Sequence, residues 1–177
     1  YIQGSPIDET LIAQYMGEVR FLRAYYFFTL SSLWGDVPLR LKSTRDTDME
    51  ALQMPSTPAA EVFDFIVTEM EDVVGQVRAA DQLNGPGRIS KSTVQGILAR
   101  VYLKMGGFPL YKGKEAFEKA AYWARKVRSS RLHTLNPDYK EVFTNLSKDI
   151  YDLTYRESIW EIEFKGNNPV SYTHLRA

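Results

Sequence analysis

Between Glu18 and Pro38 the chain reads EVRFLRAYYFFTLSSLWGDVP, and this stretch limits the possible folds more than any other. Wound as a helix of about 3.6 residues per turn, it sets Phe21, Ala24, Tyr25 and Phe28 on one stripe. Leu22, Tyr26, Thr29 and Leu33 form a second stripe beside it, and Phe27 and Trp34 cover part of the back. A helix that is apolar on nearly every side is expected to lie among other helices. Arg20 and Arg23 sit so close to these stripes that each needs a carboxylate on a neighbouring helix, because a buried unpaired charge is costly. Gly35 and Pro38 end the helix, since Gly supplies the terminal turn and Pro cannot continue it.

Composition narrows the class further. The chain has 177 residues, enough for one ordinary domain. Its 22 Lys and Arg match its 22 Asp and Glu, so no net field favours nucleic acid or an anionic membrane. The chain contains no cysteine, which excludes disulfides and a thiolate zinc site within it. No apolar run reaches the ~18 residues of a membrane span. The sequence starts at Tyr1 rather than Met and carries no signal peptide, so it reads as a cut through a larger protein. Eleven Tyr and nine Phe fit tight helix packing, and they also fit sugar stacking.

In chain order, Ser5-Pro6 predicts a helix start, with Ser5 as N-cap and one helix running from Pro6 to Leu33. Gly17 inside it would admit a close neighbouring backbone. Leu39 to Pro58 reads as a long polar connection. Thr57-Pro58 opens a second helix, with Thr57 as its cap, whose inner face is Val62, Ile66, Met70, Val73 and Val77, with Glu61, Asp64, Glu69, Glu71 and Asp72 facing water. Asn84-Gly85-Pro86-Gly87 breaks the chain. Ser90 caps a third helix, Lys91 to Met105, with Val94, Leu98, Val101, Tyr102 and Met105 inward and Gly106-Gly107 at its end. A fourth helix is expected from Lys114 to Ser129, with Phe117, Ala120, Ala121, Ala124 and Val127 inward. The third and fourth resemble a tetratricopeptide unit, AxxYL, then Gly, then FxxAAxxA. Leu132 to Asp149 reads as irregular, with Tyr139, Val142 and Phe143 as anchors on a short helical turn. Ser158 to Phe164 alternates, Trp160, Ile162 and Phe164 on one face and Glu161 and Glu163 on the other, which predicts a strand.

The segment GEVRFLRAYYFFTLSSLWGDVPL resembles the signature helix of the SusD/RagB family. The matching residues are Gly17, Glu18, Arg20, Phe21, Leu22, Arg23, Ala24, Tyr25, Phe28, Leu33, Gly35, Asp36, Val37, Pro38 and Leu39. GRISKSTVQGILARVYLKMGG, AAYWARKV and ESIWEIEF continue the resemblance, from Ile7 to Phe164. It implies a mainly α, tetratricopeptide-like fragment over residues 1–168, with helix pairs at 6–79 and 91–129 and a short β appendage at 158–164. It also implies cell-surface oligosaccharide binding without catalysis, and delivery to a SusC-like TonB-dependent transporter of the outer membrane. A lipid anchor would lie upstream of Tyr1, and no cofactor is called for. In the signature, Arg20, Phe21, Arg23, Tyr25, Phe28, Gly35, Asp36 and Pro38 are structural. The tail, 169–177, departs from the family; VSYTHLRA resembles translated sequencing-adaptor sequence, and His174 belongs to it.

Catalytic patterns are sparse. Glu161 and Glu163 lie roughly 6–7 Å apart on a strand face, a spacing an inverting glycosidase could use, but a solvent-facing strand edge has the same pattern. His133 is the one histidine outside the tail and has no ligand-spaced companions. Asp46, Asp48 and Glu50 alternate, yet they lack the Gly and distal Glu of a calcium loop. For sugar stacking the aromatics to weigh are Trp34, Trp123, Trp160, Tyr111 and Tyr139. Trp34 is expected in the core, Trp160 inward and Trp123 at a stripe edge. Tyr111, in a Gly-bounded loop, is the candidate carbohydrate contact. The rival readings are a tetratricopeptide adaptor that grips a peptide and a hydrolase using Glu161 and Glu163.

Overall fold

The computed structural model describes residues 8–43, 53–148 and 150–162. Among the described residues there are five α-helices: α1 (Glu9–Trp34), α2 (Ala59–Val73), α3 (Lys91–Gly106), α4 (Gly113–Ser130) and α5 (Tyr139–Ser147). α1 packs on α2, α2 on α3, and α3 on α4. The architecture is mainly α, as the helical periodicity and the tetratricopeptide-like pattern predict.

The inner stripes of α2 and α3 form the core. Val62, Ile66, Met70 and Val73 are fully buried and Val77 nearly so; Phe63 and Val67 join them. Val94, Leu98, Val101, Tyr102 and Met105 face them from α3. Ser90 caps α3 as its spacing predicts: its Oγ accepts the Thr93 N–H at 3.1 Å. Gly17 admits the chain just after α2, where an added Cβ would meet Gln76 Cβ at 3.0 Å and Val77 Cγ1 at 3.4 Å.

α1 departs from expectation in two respects. Its N-cap is Asp8, whose carboxylate accepts the Thr10 N–H at 2.8 Å; Ser5 and Pro6 lie outside the described residues. Its burial is one-sided. Phe21 and Ala24 are fully buried and Tyr25 and Phe28 half-buried, but Tyr26, Leu33 and Trp34 are 62%, 68% and 68% exposed. Trp34 is therefore not a core residue. A helix needs a neighbour for each face it buries; α2 and the segment around Trp160 cover the Phe21–Phe28 side and reach Leu22 and Phe27, but leave Tyr26, Leu33 and Trp34 open.

Three further expectations change. α4 turns Ala116 and Ala120 to the core, while Phe117 is 45% exposed and Ala121 and Ala124 face solvent. With alanine on several faces, its pattern leaves the rotation open. Tyr139 and Phe143 stand out from α5, 78% and 53% exposed, instead of anchoring it. Among the described residues, 158–162 forms no strand and no β bridge, and the chain bends at Ile159. Trp160 packs against Phe21 and Tyr25, and Glu161 N–H donates to the Pro86 carbonyl at 3.1 Å. Trp160 is inward as expected, but Ile162, expected on the same face, is 68% exposed and Glu161 is half-buried, so the alternation does not hold over the described residues. The one β contact among the described residues is an isolated bridge between Val37 and Thr57. Asp46, Asp48, Glu50, Glu163, Phe164 and the tail 169–177 lie outside the described residues.

Candidate functional site

The signature residues of α1 form a brace, not a reactive centre. Arg20 donates to Glu69 Oε1 from Nε at 3.2 Å and from a terminal nitrogen at 2.7 Å, and to Asp72 at 3.1 Å. Arg23 donates to the other Glu69 oxygen and lies 5.6 Å from the Phe65 ring centroid. Glu69 is thus a half-buried partner on α2, not the water-facing residue its place among the acidic positions implies. Burial pushes its carboxyl pKa up, but the hydrogen bonds from Arg20 and Arg23 outweigh this and hold it below the usual range. A second clamp ties α1 to the turn before α3. Arg88 makes bidentate contacts to buried Glu18 at 2.9 and 2.8 Å, and Gln14 donates to the same carboxylate at 3.1 Å.

The Gly35-Asp36-Val37-Pro38 run has a structural role that local spacing does not reveal. Gly35 ends α1 at φ +73°, a conformation that glycine adopts without a Cβ clash. Asp36 Oδ1 then accepts the N–H of Ala59, the first residue of α2, at 2.8 Å. Thr57 is not the cap of α2; its backbone pairs with Val37 instead, at 3.0 and 3.3 Å. Pro38 follows, exposed, where the chain leaves the helix pair.

Tyr111, the carbohydrate contact the sequence nominates, is exposed. It lies in the loop between α3 and α4, 70% exposed, with φ at +50°. The left-handed region costs a non-glycine residue roughly 1 kcal/mol or more. The surrounding loop holds it there. Tyr111 N–H donates to Gly107 O at 2.8 Å, Lys112 N–H to Met105 O at 2.9 Å, and Lys112 Nζ pairs with Asp64 at 2.5 Å. Phe108, also 70% exposed, sets its ring edge-on to Tyr111 with centroids 6.0 Å apart. Two rings on a braced loop make an exposed apolar platform with a phenol at one edge. Phe108 was not singled out by the sequence, although its place beside Pro109 in the same Gly-bounded loop was the available signal.

The other weighed aromatics are dispersed. Trp160 is packed on α1, Trp123 is half-buried 5.1 Å from the Tyr122 ring, and Tyr139 pairs with Phe143 at 5.0 Å on α5. His133 is a tether: its Nδ1–H donates to the Arg156 carbonyl at 2.7 Å. Among the described residues, no cluster of three His, Asp or Glu side chains could hold a metal ion.

Comparison with known proteins bears directly on this arrangement. A family model of SusD-like proteins, described as starch-binding and associating with the outer membrane, matches residues 4–103, from the chain's start through α1, α2 and most of α3. The chain belongs to the SusD-like family. The starch-binding protein SusD of Bacteroides thetaiotaomicron is 28% identical over 141 residues, which are 80% of this chain and 23% of that protein. A crystallised SusD homolog from the same organism superposes with a TM-score of 0.80 at 26% identity, over 92% of this chain and 30% of its own. A SusD superfamily protein from Parabacteroides distasonis gives 0.68 at 32% identity, over 78% and 29%. The chain therefore spans less than a third of the length of each of these SusD-like relatives.

Proposed function

We propose that this chain takes part in capturing oligosaccharide at the outer-membrane surface and passing it to a SusC-like TonB-dependent transporter, with no bond made or broken. The observation that carries the reading is the match of residues 4–103 to a starch-binding family associated with the outer membrane. The name of the starch-binding relative points to α-glucans as the first ligands to try. Within the chain, the Phe108–Tyr111 platform is the proposed sugar contact. Its faces accept the C–H side of a pyranose, and the Tyr111 hydroxyl can exchange hydrogen bonds with ring hydroxyls.

The test is native affinity electrophoresis of the 177-residue chain in gels containing amylopectin, laminarin or xyloglucan. Retardation in at least one is expected, with Tyr111→Ala weakening it about tenfold, the effect of losing roughly 1.4 kcal/mol of stacking. Unchanged retardation in both Tyr111→Ala and Phe108→Ala would move the contact elsewhere. Release of reducing sugar by the purified chain would overturn the non-catalytic reading. Delivery is checked by co-purification with a SusC-like transporter from outer membranes that contain both.

A further inference from the structure

Charge is balanced over the whole chain but not along α4. Between Glu118 and Asp138 the sequence holds Lys119, Arg125, Lys126, Arg128 and Arg131 and no acidic residue. α4 buries Ala116 and Ala120 and half-buries Trp123 and Val127 against its neighbours, while Tyr122, Arg125, Lys126 and Arg128 to Arg131 face solvent. There Tyr122, Arg125, Lys126, Arg128, Ser129 and Arg131 line a groove of about 690 Å³.

Some cations of the described residues are ion-paired and others, Arg78, Arg100 and Lys104 as well as those of the groove, are not. Arg20, Arg23, Arg88, Lys112 and Lys114 each have a carboxylate partner. Among the described residues, Arg125, Lys126, Arg128 and Arg131 have none. Like charges one helical turn apart repel, and the helix's own C-terminal carbonyls relieve this only in part. Arg131 also occupies the C-cap at φ +55°, a place where glycine costs less. Beside these charges lies an aromatic face. Tyr122 is 48% exposed, Lys126 Nζ lies 5.2 Å from its ring centroid, and the Trp123 ring is at 5.1 Å. Guanidinium forks match carboxylate and sulfate geometry, and a tyrosine face matches the C–H side of a sugar ring. An acidic peptide or a lipid headgroup would use the charges but not the ring.

We propose that this groove is a subsite for an acidic oligosaccharide, one whose rings carry carboxylate or sulfate. Arg125, Lys126, Arg128 and Arg131 take the anions, and Tyr122 takes the sugar face. The proposal rests on the glycan-binding reading and extends it from neutral to acidic glycans. The groove is at the C-terminal end of α4 and the Phe108–Tyr111 platform precedes its N-terminal end, so each can be removed without the other.

The experiment compares the 177-residue chain with an Arg125→Ala/Lys126→Ala/Arg128→Ala variant and with Tyr122→Ala. Circular dichroism first checks that all three share one helical spectrum. Ligands are polygalacturonate and dextran sulfate, with amylopectin as the neutral control, polyglutamate as the acidic peptide, and phosphatidylglycerol vesicles as the lipid surface. Expected are binding of at least one acidic polysaccharide, a loss of about tenfold or more in the triple variant and a smaller loss in Tyr122→Ala, with retardation by amylopectin unchanged. The proposal is overturned if neither acidic polysaccharide binds, or if the triple variant binds them undiminished. It is equally overturned if polyglutamate or the vesicles bind as tightly as the polysaccharides and Tyr122→Ala changes nothing. Binding of acidic but not neutral glycan would retire the Phe108–Tyr111 platform and leave the groove. Binding of neither would retire the glycan reading itself.

Discussion

Glu69 receives two guanidinium groups from α1, and so couples two helices through a single carboxylate. Because its folded pKa lies below the ordinary value, it contributes stability that is fully present above the unfolded carboxylate pKa of ~4.3. That contribution declines as pH falls through this value toward the folded one, and it is gone below both. Thermal unfolding of the chain should therefore lose Tm between about pH 5 and pH 3, and Glu69→Gln should show a shallower loss over the same window. At pH 7 the same variant should be less stable by about 1–2 kcal/mol, since it leaves Arg20 and Arg23 without their shared anion. Parallel pH profiles for the two proteins would contradict this account. The sequence showed that both arginines need carboxylates. It did not show which, because Glu69 lies 46 and 49 positions away among four other acidic residues of the same region.

The helices differ in how completely their sequences state their surroundings. α2 and α3 carry one clear stripe each, and every residue named for those stripes is buried. α1 is apolar on both sides, and periodicity cannot say which side a neighbour will cover. The difference should be measurable by denaturant unfolding. Phe21→Ala removes a ring fully enclosed by Tyr25, Trp160 and the core, and should cost about 3–5 kcal/mol. Leu33→Gln, on the second stripe, should stay within about 0.5 kcal/mol of the parent. Equal losses would mean that the outer stripe is as well packed as the inner one. Over 158–162, the described part of the expected strand, no strand forms, for a related reason. Alternation records that Trp160 faces inward, which packing on α1 satisfies; it carries no information on whether a second strand is there to pair with.

At the scale of the molecule, the uncovered side of α1 is a continuous apolar surface. Tyr15, Val19, Tyr26, Leu30 and Leu33 lie on it at helical spacing, each at least 40% exposed. The 177-residue chain should accordingly enhance the fluorescence of a hydrophobic dye such as anilinonaphthalene sulfonate while keeping its helical circular dichroism. A Leu30→Lys/Leu33→Lys variant should lower that enhancement without loss of helix. No enhancement in the parent would mean that this face is covered in solution. The family was legible from the α1 signature, whose order of charges, aromatics and turn residues is specific. The candidate contacts were legible only in part: Tyr111 stands out by its loop, while the cations of α4 look like an ordinary solvated helix face, and only the groove they line beside Tyr122 sets them apart.

The bridge between Val37 and Thr57, backed by Asp36 on the first N–H of α2, acts as a drawstring at the base of the connection between α1 and α2. With the two ends of the connection tied together, its length need not set how the two helices meet. Doubling its length would add only about 0.6 kcal/mol of closure entropy. Natural variation, or a grafted epitope, can accumulate in that stretch while the helical frame on either side keeps its register.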